Sequence, residues 1–459
     1  MSGGVRGKER RRLERFRYGV PMKNLICAMA GGLALASSGA RAEGGAAGAV
    51  LAPLDHLYPQ LDALYQDLHQ SPELSRHEEK TAAKLAERLR GLGYEVTTKV
   101  GGNGVVGLLR NGKGPTVMLR TDLDALPVEE KTGLSYASTA TAVNEAGVQV
   151  SVMHACGHDV HMTSWIGAAT LLAQSKERWR GTVMMVGQPA EELVSGATAM
   201  LADGLFKRFP KPDFVVGIHD TNLNPAGQVA YTPGFALANS DAVEITVFGR
   251  GGHGAAPHQT VDPIVIAARI VVALQTIVAR EVNPLDPAVI TVGSFHGGTK
   301  ANIIPDEVKL QITVRSYKDE VQKQLLAAIE RIARAEAVAG RAPREPAITV
   351  SQDTAHATWN DPALTKRLAA ALVRSFGEAN VVENRPVMGA EDFSEYGRAG
   401  VPSVQLLVGA VEPKRFAEAK AAGALTPGLH SSLFAPDREP TIRAGVATFT
   451  LSALELLGR

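Results

Sequence analysis

Cysteine is almost missing from this chain. Two residues in 459, Cys27 and Cys156, cannot build a disulfide framework. An excess of charge of either sign is missing as well. Lys and Arg number 48 against 47 Asp and Glu, a formal net charge of +1. That balance supplies no bulk attraction to a nucleic-acid backbone, and no nucleic-acid partner is expected. The apolar run 25–36 falls short of the roughly 20 residues that cross a bilayer, so no stable membrane anchor is expected. Glycine (46) and proline (25) are too few for a collagen-like or low-complexity chain. What remains is an ordinary globular composition, 45% hydrophobic and 21% charged, with length enough for two or three domains.

The N-terminus reads as a targeting segment. Arg10, Arg11, Arg12, Arg15, Arg17 and Lys23 precede the short apolar run, and Ala40 and Ala42 form an A-x-A site behind it. A basic start, a short apolar stretch and a small-residue site make a cleavable signal peptide, 1–42, cut after Ala42. The expectation is export to the periplasm or beyond. Met22 is an alternative start that leaves a more compact signal. Cleavage removes Cys27 and leaves Cys156 as the single thiol: inert, reactive or a metal ligand.

Beyond residue 50, leucines at 54, 57, 61, 64 and 68 recur at helical spacing, and residues 82–92 repeat the pattern before Gly93. Short apolar runs such as PTVMLR, GTVMMVG and DFVVGIH alternate with helical patterns. This predicts an α/β catalytic domain with a mostly parallel central sheet flanked by helices. Residues 240–354 read differently, as strand, helix, two strands, helix and strand. That βαββαβ order is ferredoxin-like. The predicted organisation is a catalytic domain, 43–239 and 355–459, interrupted by an inserted domain, 240–354.

Five segments concentrate the chemistry. LRTDLDALP carries Asp122 and Asp124; MHACGHDVH carries His154, Cys156, His158, Asp159 and His161. GQPAEE carries Glu191 and Glu192, GIHD carries His219, and LHSSLF carries His430. Asp122, Glu191 and His219 follow apolar strands, where a doubly wound sheet collects its site. Thiolate, imidazole and carboxylate together suit a divalent transition ion. Adjacent glutamates allow one to bind metal while the other takes a proton from water. A Cys156–His158 nucleophile pair is the competing reading. It leaves Glu191, Glu192, His219 and His430 without a role.

LHQSPELSRHE, LRTDLDALP, MHACGHDVH, QPAEE, GRGGHGAAPH, ANIIPD and MGAEDF, in this order, resemble the metal-dependent amidohydrolase/peptidase family of aminoacylase and carboxypeptidase G. The branch they resemble most holds hippurate hydrolase and the hydrolases of auxin–amino acid conjugates. The resemblance implies two divalent ions per subunit, zinc or manganese first and cobalt or nickel as alternatives. It implies Cys156, His158, Glu192, His219 and His430 as ligands, and Glu191 as the general base. It implies Asp122 as a carboxylate orienting a ligand, and His253 as a residue of the inserted lid that steadies the oxyanion, commonly in the partner subunit's site. Asn302 and Glu391 are implied to face the substrate; His161 and His258 are read as structural. The implied reaction cleaves an N-acyl amino acid to a carboxylic acid and a free amino acid, in a homodimer joined through the lid. A dipeptidase or carboxypeptidase acting on short peptides is the alternative, and a non-catalytic binding homologue the third. The chain departs from the family pattern at Gly187, at Asp220, Thr221 and Asn222, and at Ser431 and Ser432. These positions bear on the acyl-group preference.

Overall fold

The structure is a computed structural model and describes residues 46–351 and 354–458. The expected signal peptide 1–42, with Cys27 and the cut after Ala42, lies outside the described residues.

Leucine spacing produces the first helices. α1 (Leu54–Gln70) buries Leu54, Leu61, Leu64 and Leu68, and α2 (Glu79–Gly91) buries Ala82, Leu85 and Leu89. Three strands follow: β1 (Glu95–Val100), β2 (Gly104–Asn111) and β3 (Thr116–Asp122). α3 (His158–Gln174) is buried from residue 158 to residue 172, so it is a core helix rather than a surface one. Then come β4 (Gly181–Gln188), β5 (Phe214–Pro225) and β6 (Val229–Tyr231). The inserted unit contains β7 (Asp241–Phe248), α4 (Pro263–Thr276), β8 (Ala288–His296), β9 (Glu307–Ser316), α5 (Asp319–Ala339) and β10 (Ala347–Val350). The chain closes with α6 (Pro362–Phe376), β11 (Val381–Glu383), β12 (Ser403–Val411) and α7 (Arg438–Leu456).

The large sheet has the order β1-β2-β4-β3-β5-β12-β6-β11. Its centre, β4-β3-β5-β12, is parallel, with antiparallel strands toward the edges. Central strands covered on both faces read as continuous apolar runs, which is why VVGLL, VMLR and TVMMV show no alternation. Register brings the chemistry together. Asp122 at the end of β3 stands opposite Gln188 at the end of β4, and His219 on β5 stands opposite Leu407 on β12. The loops that follow β3 and β4 therefore leave the sheet side by side.

The inserted unit has its own antiparallel sheet, β8-β9-β7-β10, the strand order of a ferredoxin-like fold. Val243, Ile245, Ile266, Ile270, Leu274, Leu325 and Ile329 form a core separate from that of the large sheet. Ser240 and Ala355 pair where the chain enters and leaves it. α4 runs on into a π-helical turn, Ile277–Glu281, which keeps Ile277 buried.

Candidate metal centre and active site

Three tight turns present the reactive side chains. Cys156 and His158 flank Gly157, which takes φ 76° just before α3. A Cβ at Gly157 would lie 2.4 Å from Asp220 Oδ2, so conformation and space both demand glycine. Glu191 follows Ala190 (φ 51°), and His430 itself has φ 65°. Non-glycine residues in this left-handed region cost on the order of 1–3 kcal/mol each and persist where surrounding contacts hold them. Those contacts are present. Ala190 N donates to Glu78 Oε1 at 2.8 Å, and His430 N donates to the Ala155 carbonyl at 2.7 Å.

The side chains converge as their positions at the sheet edge suggest. Cys156 Sγ lies 3.6 Å from His219 Nε2 and 3.3 Å from His430 Nε2. His430 Nε2 is 3.5 Å from Glu192 Oε2. His158 Nε2 lies 3.8 Å from Glu191 Oε2, 3.9 Å from Glu192 Oε1 and 3.9 Å from Asp122 Oδ2. Two imidazoles have fixed tautomers. His158 Nδ1 donates to the Asp124 carbonyl at 2.8 Å, and His219 Nδ1 donates to the Asp220 carbonyl at 2.7 Å. A carbonyl only accepts, so in the neutral form of each ring Nε2 carries the lone pair and faces the cluster.

The electrostatics call for cations. Asp122, Asp124, Glu191, Asp220, Glu391 and Asp392 are all buried, with Glu192 nearly so, and Arg120 is the permanent positive charge buried among them. Burial, then the charges of Glu391 and Glu192, push Glu191 well above the usual carboxylate range. Burial lifts Glu192 to about 7. Burial and the Glu192 and Glu191 charges push the Cys156 thiol well up. Burial alone would lower His158, but Asp122 and Asp124 overturn it and raise the imidazole. His158 Nε2 and Glu192 Oε1 are buried without a hydrogen-bond partner. Cys156, His158 and His219 lie within coordinating reach of one another, as do Cys156, Glu192 and His430, and His158, Glu191 and Glu192. Free imidazole lone pairs, an orphaned carboxylate oxygen and a thiol fit divalent transition ions. The same surroundings argue against a thiol nucleophile, which needs a lowered pKa and an electropositive setting.

Behind these residues stands a layer that the reading of the sequence missed. Arg120 is 1% exposed; it donates to Asp122 (2.7 Å), Glu391 (2.9 Å), Asp392 (3.1 Å) and Gln188 (2.9 Å). His161, read as structural, lies between Asp122 Oδ1 (2.7 Å) and Asp220 Oδ1 (3.1 Å), with its ring 4.5 Å from that of His219. The first motif serves the same layer. Ser75 Oγ donates to Asp124 Oδ2 at 2.6 Å, and Glu78 holds the Ala190 turn. His69 bridges Asp159 (2.6 Å) and Glu130 (3.2 Å). The signal was present, since LHQSPELSRHE, LRTD and GQP belong to the segments singled out.

Glu391 is 2% exposed, and its carboxylate is taken up by Arg120 and Gln405 (3.0 Å). It stands inside the buried network beside Glu191, not on an open cleft wall. His253 pairs with Ile303 on a short ladder of the inserted unit, and beside it Gly254 N donates to the Asn302 carbonyl at 2.8 Å. His253 and Asn302 are both exposed. Among the described residues no hydrogen bond or ion pair links either side chain to the cluster. His258 lies on the next turn, also exposed.

The description "Peptidase family M20/M25/M40" matches this chain over residues 118–421. The chain belongs to this family. A thermostable carboxypeptidase of Saccharolobus solfataricus is 37% identical over 392 residues, covering 84% of this chain and 93% of that protein. The hippurate hydrolase of Campylobacter jejuni is 37% identical over 340 residues, covering 73% and 85%. An IAA-amino acid hydrolase of Arabidopsis thaliana is 34% identical over 330 residues, covering 72% of each. Among solved structures, a dinuclear metal binding M20 peptidase of Bacillus subtilis superposes with a TM-score of 0.70 at 27% identity, covering 88% of this chain and all of that one. This M20 member is a metal-dependent hydrolase of amide bonds, built as a catalytic domain with an inserted lid.

Proposed function

We propose that this M20 hydrolase cleaves N-acyl amino acids of the hippurate or auxin-conjugate type, releasing a carboxylic acid and a free amino acid. The observation that carries the reading is the buried cluster itself. Cys156, His158, Glu192, His219 and His430 direct thiol, imidazole and carboxylate donors inward, and Glu191 stands beside them. We assign those five residues to two divalent ions, zinc or manganese, with cobalt or nickel able to replace them. Held there, such ions would supply Lewis acidity toward the scissile carbonyl and toward a water. Glu191 takes the proton of the attacking water and delivers it to the leaving nitrogen. Asp122, held by Arg120 and His161, orients His158 through charge.

His253 is assigned to the oxyanion, reaching the partner subunit's site, with Asn302 beside it on the substrate. Its exposure and its lack of contact with its own cluster support that reading. Pairing through the lid is supported by the apolar outer side of α4, where Val265 and Val272 are 56% and 71% exposed, and by Leu285 at 86%. α4 and its π turn are apolar and long enough to cross a membrane by composition. Here Ile266, Ile270 and Leu274 pack that helix on its sheet. We also propose export, on the signal-peptide pattern of residues 1–42.

The carboxypeptidase reading has its own support in the Saccharolobus relatives. One substrate panel separates the two: hippurate, N-acetyl amino acids and a dipeptide, assayed with and without chelator. Chelator-sensitive release of amino acid from the acyl substrates supports the proposal. Hydrolysis of the dipeptide alone overturns it in favour of the peptidase.

A further inference from the structure

Asp220 is a departure from the family pattern that the proposed reaction leaves unused, yet it lies directly beneath the cluster. It follows His219 on β5 and is 1% exposed. Its Oδ1 lies 3.1 Å from His161 Nε2 and 3.4 Å from His219 Nδ1. Its backbone carbonyl fixes the His219 tautomer, and its backbone nitrogen lies 2.8 Å from the same His161 Nε2. His161 in turn contacts Asp122 at 2.7 Å, so two carboxylates bracket one imidazole under the site. The other oxygen, Oδ2, is buried with no hydrogen-bond partner and packs against Gly157, between Cys156 and His158. A buried carboxylate oxygen left unpaired is costly, and a neighbouring cation removes that cost.

We propose that Asp220 is a positioning residue of the metal centre that sets its affinity for divalent cations, by orienting His219 and His161 and by adding buried negative charge beside the Cys156–Gly157–His158 turn. The inference rests on the metal-centre reading of the same site. It gives Asp220 an outer role rather than that of a sixth ligand, because its contacts run to imidazoles already engaged and to the backbone of the ligand-bearing turn. In the empty protein Oδ1 pairs with His161 while Oδ2 has no partner, so a bound cation adds relief that the metal-free state lacks. Asp220 therefore stabilises the metal-loaded fold more than the metal-free one.

The test uses the full mature chain, stripped of metal, and the variant Asp220→Asn. Zn²⁺ is titrated in competition with a chromophoric chelator, and melting temperatures are taken with chelator and with excess Zn²⁺. The variant is expected to take up the same number of Zn²⁺ equivalents as the native chain, with affinity weaker by about 10- to 100-fold. Its Zn²⁺-induced rise in melting temperature is expected to be smaller than that of the native chain. Unchanged affinity overturns the proposal. So does loss of a whole equivalent, which would make Asp220 a direct ligand. A lower metal-free melting temperature with unchanged affinity overturns it in favour of simple packing. Should Asp220→Asn fail to fold, Asp220→Ser is read in the same way. If neither folds, the proposal falls, because Asp220 then serves the metal-free fold itself. A native chain that takes up no Zn²⁺ would instead bring down the metal-centre reading beneath it.

Discussion

Glu191 and Glu192 are adjacent in sequence and differ in what they touch. Glu192 reaches His430 and His158, whereas Glu191 reaches His158 alone and feels the buried Glu391 charge. Glu191→Gln keeps the shape and removes the proton acceptor. It should lower kcat by about 10²- to 10⁴-fold with metal content unchanged. Parallel turnover and metal analysis check this, and an active variant removes Glu191 from the role of base. Cys156→Ala should fail the other way, losing metal first, because the sulfur lies within reach of both His219 and His430. Arg120→Met leaves Asp122, Glu391 and Asp392 buried without their counter-charge. Breaking such a network costs about 3–5 kcal/mol, to be read as loss of denaturant midpoint.

At the scale of elements, the centre depends on how α3 is seated. Asp159, one residue past His158, is gripped by His69 at the end of α1, and the same imidazole holds Glu130. Both partners are acceptors, so the ring is an imidazolium donating at each nitrogen. Burial works against that charge, but Asp159 and Glu130 raise its pKa to about 10. The unfolded value is near 6.5. The folded state thus holds the proton more tightly, and the stabilisation is complete below about pH 6.5 and is lost as pH rises toward 10. The melting-temperature gap between the native chain and His69→Gln, taken in chelator, should narrow across that window. A gap that is flat or widens with pH would remove the charge from the account. α6 offers a simpler check. Asp361 caps it through Leu364 N at 2.8 Å, so Asp361→Ala should cost about 1 kcal/mol.

The whole-molecule prediction concerns the lid. If His253 serves the partner's site, His253→Ala and Glu191→Gln chains are each inactive alone but complementary when mixed. Each heterodimer then carries one complete site, and subunit exchange should restore about a quarter of native activity for a two-fold dimer. Mixtures that stay inactive after verified exchange place His253 in its own subunit's site, and a His253→Ala chain that is active alone places it outside the reaction. If the lid pairs two subunits, Val272→Glu should weaken that dimer, read by light scattering, and reduce activity with it.

Much of this was legible without coordinates. Apolar strands ending in Asp122 and before Glu191 reveal the α/β layer, because a sheet buried on both faces needs continuous apolar runs. The βαββαβ order of the insert shows in its periodicity, since each element buries only one face. The reactive residue types stand out because thiol, imidazole and paired carboxylates are scarce in apolar surroundings. The supporting layer was not legible. Arg120 reads as an ordinary strand residue beside Asp122, and its other two carboxylate partners, Glu391 and Asp392, become neighbours only when β3 meets the 389–393 loop. Asp220 reads as a substitution near the cleft until the turn at Gly157 is laid against it. Glu391 reads as a wall residue until Arg120 and Gln405 close over it. The sequence by itself determined which side chains can ligate and which strands carry them, because those follow from residue chemistry and local period. Only the tertiary structure decided which carboxylates stay unpaired, which imidazole nitrogen faces inward and which charges share one buried space. Those properties depend on distances between segments far apart in the chain.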